Sequence, residues 1–245
     1  MLIKMEITEL QKDLAATFRW TARLNMHEAV ANHFSACVPG STDFYINKAG
    51  VHFSRMKASD LILVTKNNKE KLKKNPEIVD PTAIFIHGTI HEKVPHAKCI
   101  FHVHSKYATA LSTLKNPTLP PIDQNTMMFY NRFSVFKEFG GLGFEEESLK
   151  MAKALGNKQH MLLCNHGLLT TGETIADGFN YLYYFEKAAE TYLTALSTNK
   201  ELNIVNDAIA EKTAEELNNF PINLARMFLD QIRLILDKEE PDYKN

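Results

Sequence analysis

Apolar residues recur at helical spacing near the start of the chain. Ile7, Leu10, Leu14, Phe18 and Leu24 mark one face of an amphipathic helix over residues 7–24. The texture changes after residue 33. Phe34–Val38, Phe44–Ile46 and Leu61–Val64 are short apolar runs separated by Pro39-Gly40, Asn47 and Gly50, which predicts strands and turns. Residues 66–76 carry five lysines and close on Pro76, and with no aromatic residue beside them they read as a solvated loop rather than an anion site. Residues 82–93 read as a helix that Thr82 caps and Pro95 stops. Ala97–His104 follows as a strand and Tyr107–Leu114 as a helix, while 119–144 reads as an ordered loop with one or two strands. Glu145–Leu155 predicts a helix closed by Gly156, and Met161–Cys164 a buried strand. Two long helices end the chain, Ile175–Leu196 and one over 207–237 interrupted near Pro221. No composition break or repeat divides the sequence. The pattern predicts one α/β domain over 1–245, helices packed around a sheet, with a helical extension from about residue 200.

Composition narrows the partners. The 245 residues hold 28 Lys+Arg against 29 Asp+Glu, a formal charge of −1, with 44% hydrophobic residues. That balance lacks the basic footprint of a protein whose main partner is nucleic acid or an anionic membrane. The opening Met1–Glu6 reaches charge before any apolar run forms, and no stretch approaches the roughly 20 apolar residues of a membrane span. Cys37, Cys99 and Cys164 are widely spaced without a CxxC, as expected of small buried residues in a reducing compartment. The expectation is a soluble cytoplasmic protein.

Histidine is the compositional oddity. Five of the ten, His87, His91, His96, His102 and His104, fall within eighteen positions, and His166 follows later between Asn165 and Gly167. On a strand, residues i and i+2 share a face about 6–7 Å apart, so His102 and His104 can reach one ion. Both sit at a strand end, where sites in α/β proteins collect. His166 ends a second strand, next to a glycine that cannot crowd a ligand. Three imidazoles from two strand ends would hold a Zn²⁺-like ion with positions left open, the mark of a catalytic metal. The competing reading is three hydrogen-bonded histidines in a polar cleft. His27, His52, His96 and His160 show no partner pattern and read as surface or structural.

The stretch His87-x-x-Ile90-His91-x-x-x-Pro95-x-Ala97-x-Cys99-x-x-His102-x-His104 resembles the metal-binding core of the class II aldolase/adducin family. So do Asn165-His166-Gly167-Leu168-Leu169, the turn Asn32-His33-Phe34-Ser35, the segment Phe44–Gly50, and Ser59-Asp60-Leu61. The tail Glu240-Pro241-Asp242-Tyr243 is similar to that of the adducin-like bacterial branch. The resemblance implies a three-layer α/β/α sandwich on a largely antiparallel sheet, often tetrameric with sites between subunits. It also implies His102, His104 and His166 as ligands of a divalent metal, zinc first, with Mn²⁺, Fe²⁺, Co²⁺ or Ni²⁺ as substitutes.

The departures matter as much. The Ser-Ser-Glu with which the family's sugar-phosphate aldolases bind phosphate and supply a base falls on Pro81-Thr82-Ala83. Their phosphate-binding Asn falls on His33, the Thr before the turn glycine on Ala49, and the proton-donating Tyr on Gln124. A glutamate introduced at position 83 would then be expected to tighten metal binding. His87 and His91 become candidate proton carriers, with Tyr130 a third candidate. His33, Ser35, Gly50, Thr82, Gln124 and Arg132 become candidate substrate contacts, and His33 is expected to recognise a carboxylate in place of phosphate. The expected function is a metal-dependent lyase on a small, non-phosphorylated hydroxy or keto acid, working through a stabilised enolate. A non-catalytic adducin-like binding module and a sugar-phosphate aldolase or epimerase with a rearranged base are the alternatives. The C-terminal helix, with Met227, Phe228, Ile232 and Leu236 along one side, fits packing on a neighbouring subunit or on its own core.

Overall fold

The computed structural model describes residues 8–138 and 140–245. The expected contributions of Met1–Glu6 and Ile7 lie outside the described residues. Helix α1 (Glu9–Arg23) starts at Thr8, whose hydroxyl accepts from Gln11 N–H while Gln11 accepts in return from the Thr8 N–H. Strands β1 (His33–Cys37), β2 (Phe44–Asn47) and β3 (Leu61–Val64) follow as the apolar runs predict. The lysine-rich stretch is not all loop, for Lys69–Lys73 forms a short helix, α2.

Helix α3 (Pro81–Lys93) is capped by Asp80, not Thr82. The Asp80 carboxylate accepts from the Thr82 N–H at 2.8 Å and from the Thr82 hydroxyl at 2.7 Å. A carboxylate suits the N-terminal end of a helix dipole, and Pro81 fits at N1 because its missing N–H would have no partner there. Strand β4 (Cys99–Val103) and helix α4 (Lys106–Ser112) complete the first half. The expected loop at 119–144 contains helix α5 (Gln124–Met128) and strand β5 (Phe133–Phe136). After α6 (Glu145–Leu155) come β6 (His160–Leu163) and an unpredicted strand, β7 (Gly167–Gly172). The chain ends in α7 (Ile175–Ser197), α8 (Asp207–Asn218), α9 (Leu224–Glu239) and a 3₁₀ turn, Pro241–Lys244. The expected second long helix is therefore two, broken at residues 219–223 around Pro221.

The seven strands form one sheet in the order β3-β2-β1-β4-β7-β6-β5, antiparallel throughout except for β5 beside β6. On one face Phe34 and Phe101 pack with α1, α7 and α9 in a cluster that includes Phe18, Phe179, Leu182, Leu229 and Ile232. On the other face lie α3 and α6. There, two smaller clusters form, one around Ile90, Ile100, Leu155 and Leu169 and one around Phe44, Ile46, Ala83 and Ile84. Helices on both faces of a mostly antiparallel sheet make the expected three-layer α/β/α sandwich. Residues paired across neighbouring strands share a face, and His33 pairs with His102. That register turns the His33 and His102 side chains to one face of the sheet, the face where His33 meets His87 of α3.

Candidate metal centre

His102 sits on β4, His104 one step past its end, and His166 in the turn joining β6 to β7. Asn165 takes a left-handed conformation (φ 58°), which asparagine tolerates, and its N–H donates to the Ser112 carbonyl at 3.1 Å. This turn carries His166 back toward β4. Gly167 follows because a Cβ there would run into the Val103 carbonyl oxygen on the paired strand. A Cβ there would also stand 3.0 Å from Cδ2 of the His104 ring, so the glycine lets β7 approach β4 and keeps that candidate ligand uncrowded.

The imidazole nitrogens of the three histidines lie within 4.8 Å of one another. His102 is buried, and the other two are half-buried. His102 Nδ1 donates to the Leu168 carbonyl at 3.0 Å, and His104 Nδ1 donates to the Glu28 carboxylate at 2.5 Å. Both Nδ1 hydrogens are thus committed, which turns the two Nε2 atoms toward each other at 3.1 Å, and when both rings are neutral these are two facing lone pairs. Two such lone pairs repel unless a cation lies between them. Ligand nitrogens about 2.0–2.1 Å from a tetrahedral ion stand about 3.3–3.4 Å apart, so the donor set fits a zinc-like metal. Glu28 behind His104 is the carboxylate partner that orients such ligands. Burial first, then neighbouring His166, holds His102 well below the usual histidine range, and burial takes His166 to about 4. Neutral imidazoles are the metal-binding form.

A buried polar seam runs inward from this cluster. His33, Ser35 and Cys37 alternate on one face of β1, and His87 and His91, one turn apart on α3, interdigitate with them. His33 Nδ1 and His87 Nε2 are 2.7 Å apart, and the Ser35 hydroxyl lies 2.5 Å from His87 Nδ1 and 2.8 Å from His91 Nε2. His91 Nδ1 meets the Ala97 carbonyl at 2.7 Å with Cys37 Sγ at 3.2 Å. All five side chains are buried. The His33 ring stands 4.9 Å from that of His102. Burial lowers all three seam histidines, taking His33 and His91 to about 4.

The other predicted residues scatter. Thr82 is half-buried against Asp80, whose charge is felt by His33. Ala83 packs among Phe44, Ile46, Val79 and Ile84, so a glutamate there would be buried in an apolar cluster instead of serving as a ligand. Gly50 (φ 73°) makes its turn beside a cleft of about 670 Å³ lined by Arg19, His52, Arg55, Lys57 and Asp242, with none of His102, His104 and His166 on its walls. Gln124 is exposed in the first turn of α5. Tyr130 and Arg132 do not join the cluster either. They precede β5, at the sheet end opposite the one where β6 delivers His166, and Arg132 pairs with Glu211 of α8 at 2.8 Å. His27 and His52 bond each other at 2.8 Å, His96 bonds the Lys158 carbonyl, and His160 is buried between Phe129 and Tyr181. Glu28 escaped the sequence reading, since no spacing signals a contact 76 positions away.

The fold and this donor set define a class of protein: an α/β/α sandwich with three clustered imidazoles at a strand end, a donor set suited to a divalent metal. The chain belongs to the class II aldolase/adducin family, with the Class II Aldolase and Adducin N-terminal domain matching residues 12–193. Decarboxylase NovR of Streptomyces niveus is 30% identical over 216 residues, 87% of this chain and 73% of NovR. The crystal structure of an aldolase II superfamily protein from Pseudomonas syringae superposes with a TM-score of 0.83 at 28% identity, covering 100% of this chain and 98% of that one. L-fuculose 1-phosphate aldolase from Glaciozyma antarctica gives a TM-score of 0.81 at 29% identity, over 96% and 92% of the two chains.

Proposed function

We propose that this protein is a metal-dependent lyase acting on a small, non-phosphorylated hydroxy or keto acid, with zinc held by His102, His104 and His166. The observation that carries this reading is the pair of imidazoles whose Nδ1 atoms are committed and whose Nε2 atoms meet at 3.1 Å. A bound divalent metal would supply Lewis acidity, stabilising the enolate charge shared by aldol cleavage, decarboxylation and elimination. The chain's own residues supply the rest. Glu28 and the Leu168 carbonyl fix the ligand rings, and His87, His91 and Ser35 hold protons in the seam behind His33. Thr82 is the remaining candidate for holding the acid group from within the subunit, since Gly50 lines a separate cleft. Gln124, Tyr130 and Arg132 lie off the cluster in one chain, so a role for them requires a neighbouring subunit.

A homotetramer with sites between subunits fits the exposed apolar residues Phe220, Ile222, Leu224, Met227 and Leu234 near and along α9. Of the stripe that fits either a neighbouring subunit or its own core, Ile232 and Leu236 are buried and Phe228 stacks on Phe179 at 5.9 Å, while Met227 is exposed. Three unpaired cysteines accord with a cytoplasmic location. No helix among the described residues is long and apolar enough to cross a membrane. The likeness to the Glaciozyma aldolase supports sugar-phosphate cleavage as a second reading. Pro81-Thr82-Ala83 and His33 weigh against it, because they remove the phosphate donors and the base at which that reaction is run. An intact imidazole triad likewise weighs against a non-catalytic adducin-like module.

Metal analysis of the purified protein, followed by thermal-shift measurement with matched hydroxy acids, keto acids and sugar phosphates, tests the proposal. One equivalent of zinc lost in His102→Ala, and stabilisation by an unphosphorylated acid, are expected. Zinc retained in that variant, or preference for a sugar phosphate, overturns it.

A further inference from the structure

The seam behind the metal histidines has one consistent set of proton positions. His91 Nδ1 lies 2.7 Å from the Ala97 carbonyl oxygen, which only accepts, so the hydrogen sits on that nitrogen. A neutral ring then offers a lone pair at Nε2, and the Ser35 hydroxyl donates to it across 2.8 Å. Having given its hydrogen away, the Ser35 oxygen accepts from His87 Nδ1 at 2.5 Å. His87 Nε2 is therefore unprotonated, and the 2.7 Å bond to His33 places the last hydrogen on His33 Nδ1. Each assignment forces the next because the inner end is a carbonyl. Burial keeps His87 and His91 neutral at pH 7, so no extra proton scrambles the order.

The outer end of the chain is the informative one. With Nδ1 spent on His87, the remaining nitrogen of His33 is a lone pair beside the His102 ring, and no group among the described residues bonds it. We propose that the Ala97–His91–Ser35–His87 chain fixes His33 as a hydrogen-bond acceptor at the metal centre, so that the site selects a hydroxy acid over the matching keto acid. A hydroxyl can donate to that lone pair; a ketone or an ionised carboxylate cannot. This polarity is the reverse of the carboxylate recognition expected of His33 from sequence. Ser35, His87 and His91 are on this account positioning residues that act through His33. The inference rests on the metal-centre reading above.

Nitrogen-15 NMR of histidine-labelled, metal-free protein reads the tautomer directly. The expected spectrum gives His33 a pyrrole-type Nδ1 and a pyridine-type Nε2, and the opposite pattern overturns the proposal. In zinc-loaded protein, calorimetry with lactate and pyruvate as probes is expected to show lactate binding about tenfold tighter, the worth of one hydrogen bond. His87→Phe removes the acceptor for His33 Nδ1 and is expected to erase that preference by lowering lactate affinity far more than pyruvate affinity. Ser35→Ala breaks the order one step deeper, is sterically mild, and is expected to mix the His33 tautomers. No lactate preference in the wild type, or equal losses for both probes in the variants, overturns the inference. Failure of the wild type to bind zinc overturns the metal reading instead, and the tautomer in metal-free protein still decides the chain's polarity.

Discussion

Glu28 and His160 show what single side chains contribute once the fold has placed them. The Glu28 carboxylate fixes His104 with Nε2 turned toward the ligand position. Glu28→Gln keeps the shape and loses the charge, and zinc affinity is expected to fall about 10- to 100-fold, measured by competition with a chromophoric chelator. Unchanged affinity would remove Glu28 from the centre. His160 is buried with Nδ1 unpaired, and burial takes its pKa to about 3. Between that value and about 6.5 the unfolded chain binds a proton that the folded one does not, so stability is complete above 6.5 and falls as pH drops through this window. The slope for one such group is about 1.4 kcal/mol per pH unit. His160→Phe keeps a ring between Phe129 and Tyr181 and removes the titration, so urea unfolding at pH 7, 6 and 5 should show a flatter decline than the wild type.

The elements differ in how plainly their residues announce them. Helix α1 has one buried face, so its 3.6-residue period is visible in Leu10, Leu14 and Phe18. Strand β1 is buried at all five positions, so no alternation tells which side chains face α3, and the seam of Ser35 and Cys37 with His91 went unread. Helix α3 hides its face for the same reason, since its histidines and isoleucines are both buried. Strand β7 is buried throughout as Gly-Leu-Leu-Thr-Thr-Gly, a run with neither period and two glycines that read as turn. Those glycines are there for close approach. At Gly172 a Cβ would meet the backbone of Gly178 at the start of α7, and at Gly167 the Val103 carbonyl. Gly167→Ala is expected to push β7 from β4 and displace His166. The thermal midpoint and zinc affinity should then fall together; a drop in stability with zinc affinity intact would separate the turn from the centre.

At the scale of the molecule, the imidazole triad was legible because i, i+2 spacing and a strand-end His are local patterns, whereas the C-terminal docking was not. Residues Glu240–Asn245 return to the first helix. Arg19, whose side chain is only 6% exposed, bonds Glu240 at 3.0 Å and Asp242 at 2.9 Å, and Tyr243 is fully buried against the cluster shared by α1, α7 and α9. The Ser59 N–H donates to the Asn245 carbonyl at 2.9 Å, which ties the tail also to the segment leading into β3. Helix α9 and the 3₁₀ turn after it are therefore packed into the same core as the sheet, the behaviour expected if 1–245 unfolds as one domain. Tyr243→Ala removes a large buried ring and should cost about 3–5 kcal/mol. If the chain is one cooperative unit, this loss appears as a shift of the whole denaturant transition, with near-ultraviolet circular dichroism and the fluorescence of Trp20 on α1 moving together. An early separate transition confined to the C-terminal helices, with the sheet signal unshifted, would mark the extension as an independent unit.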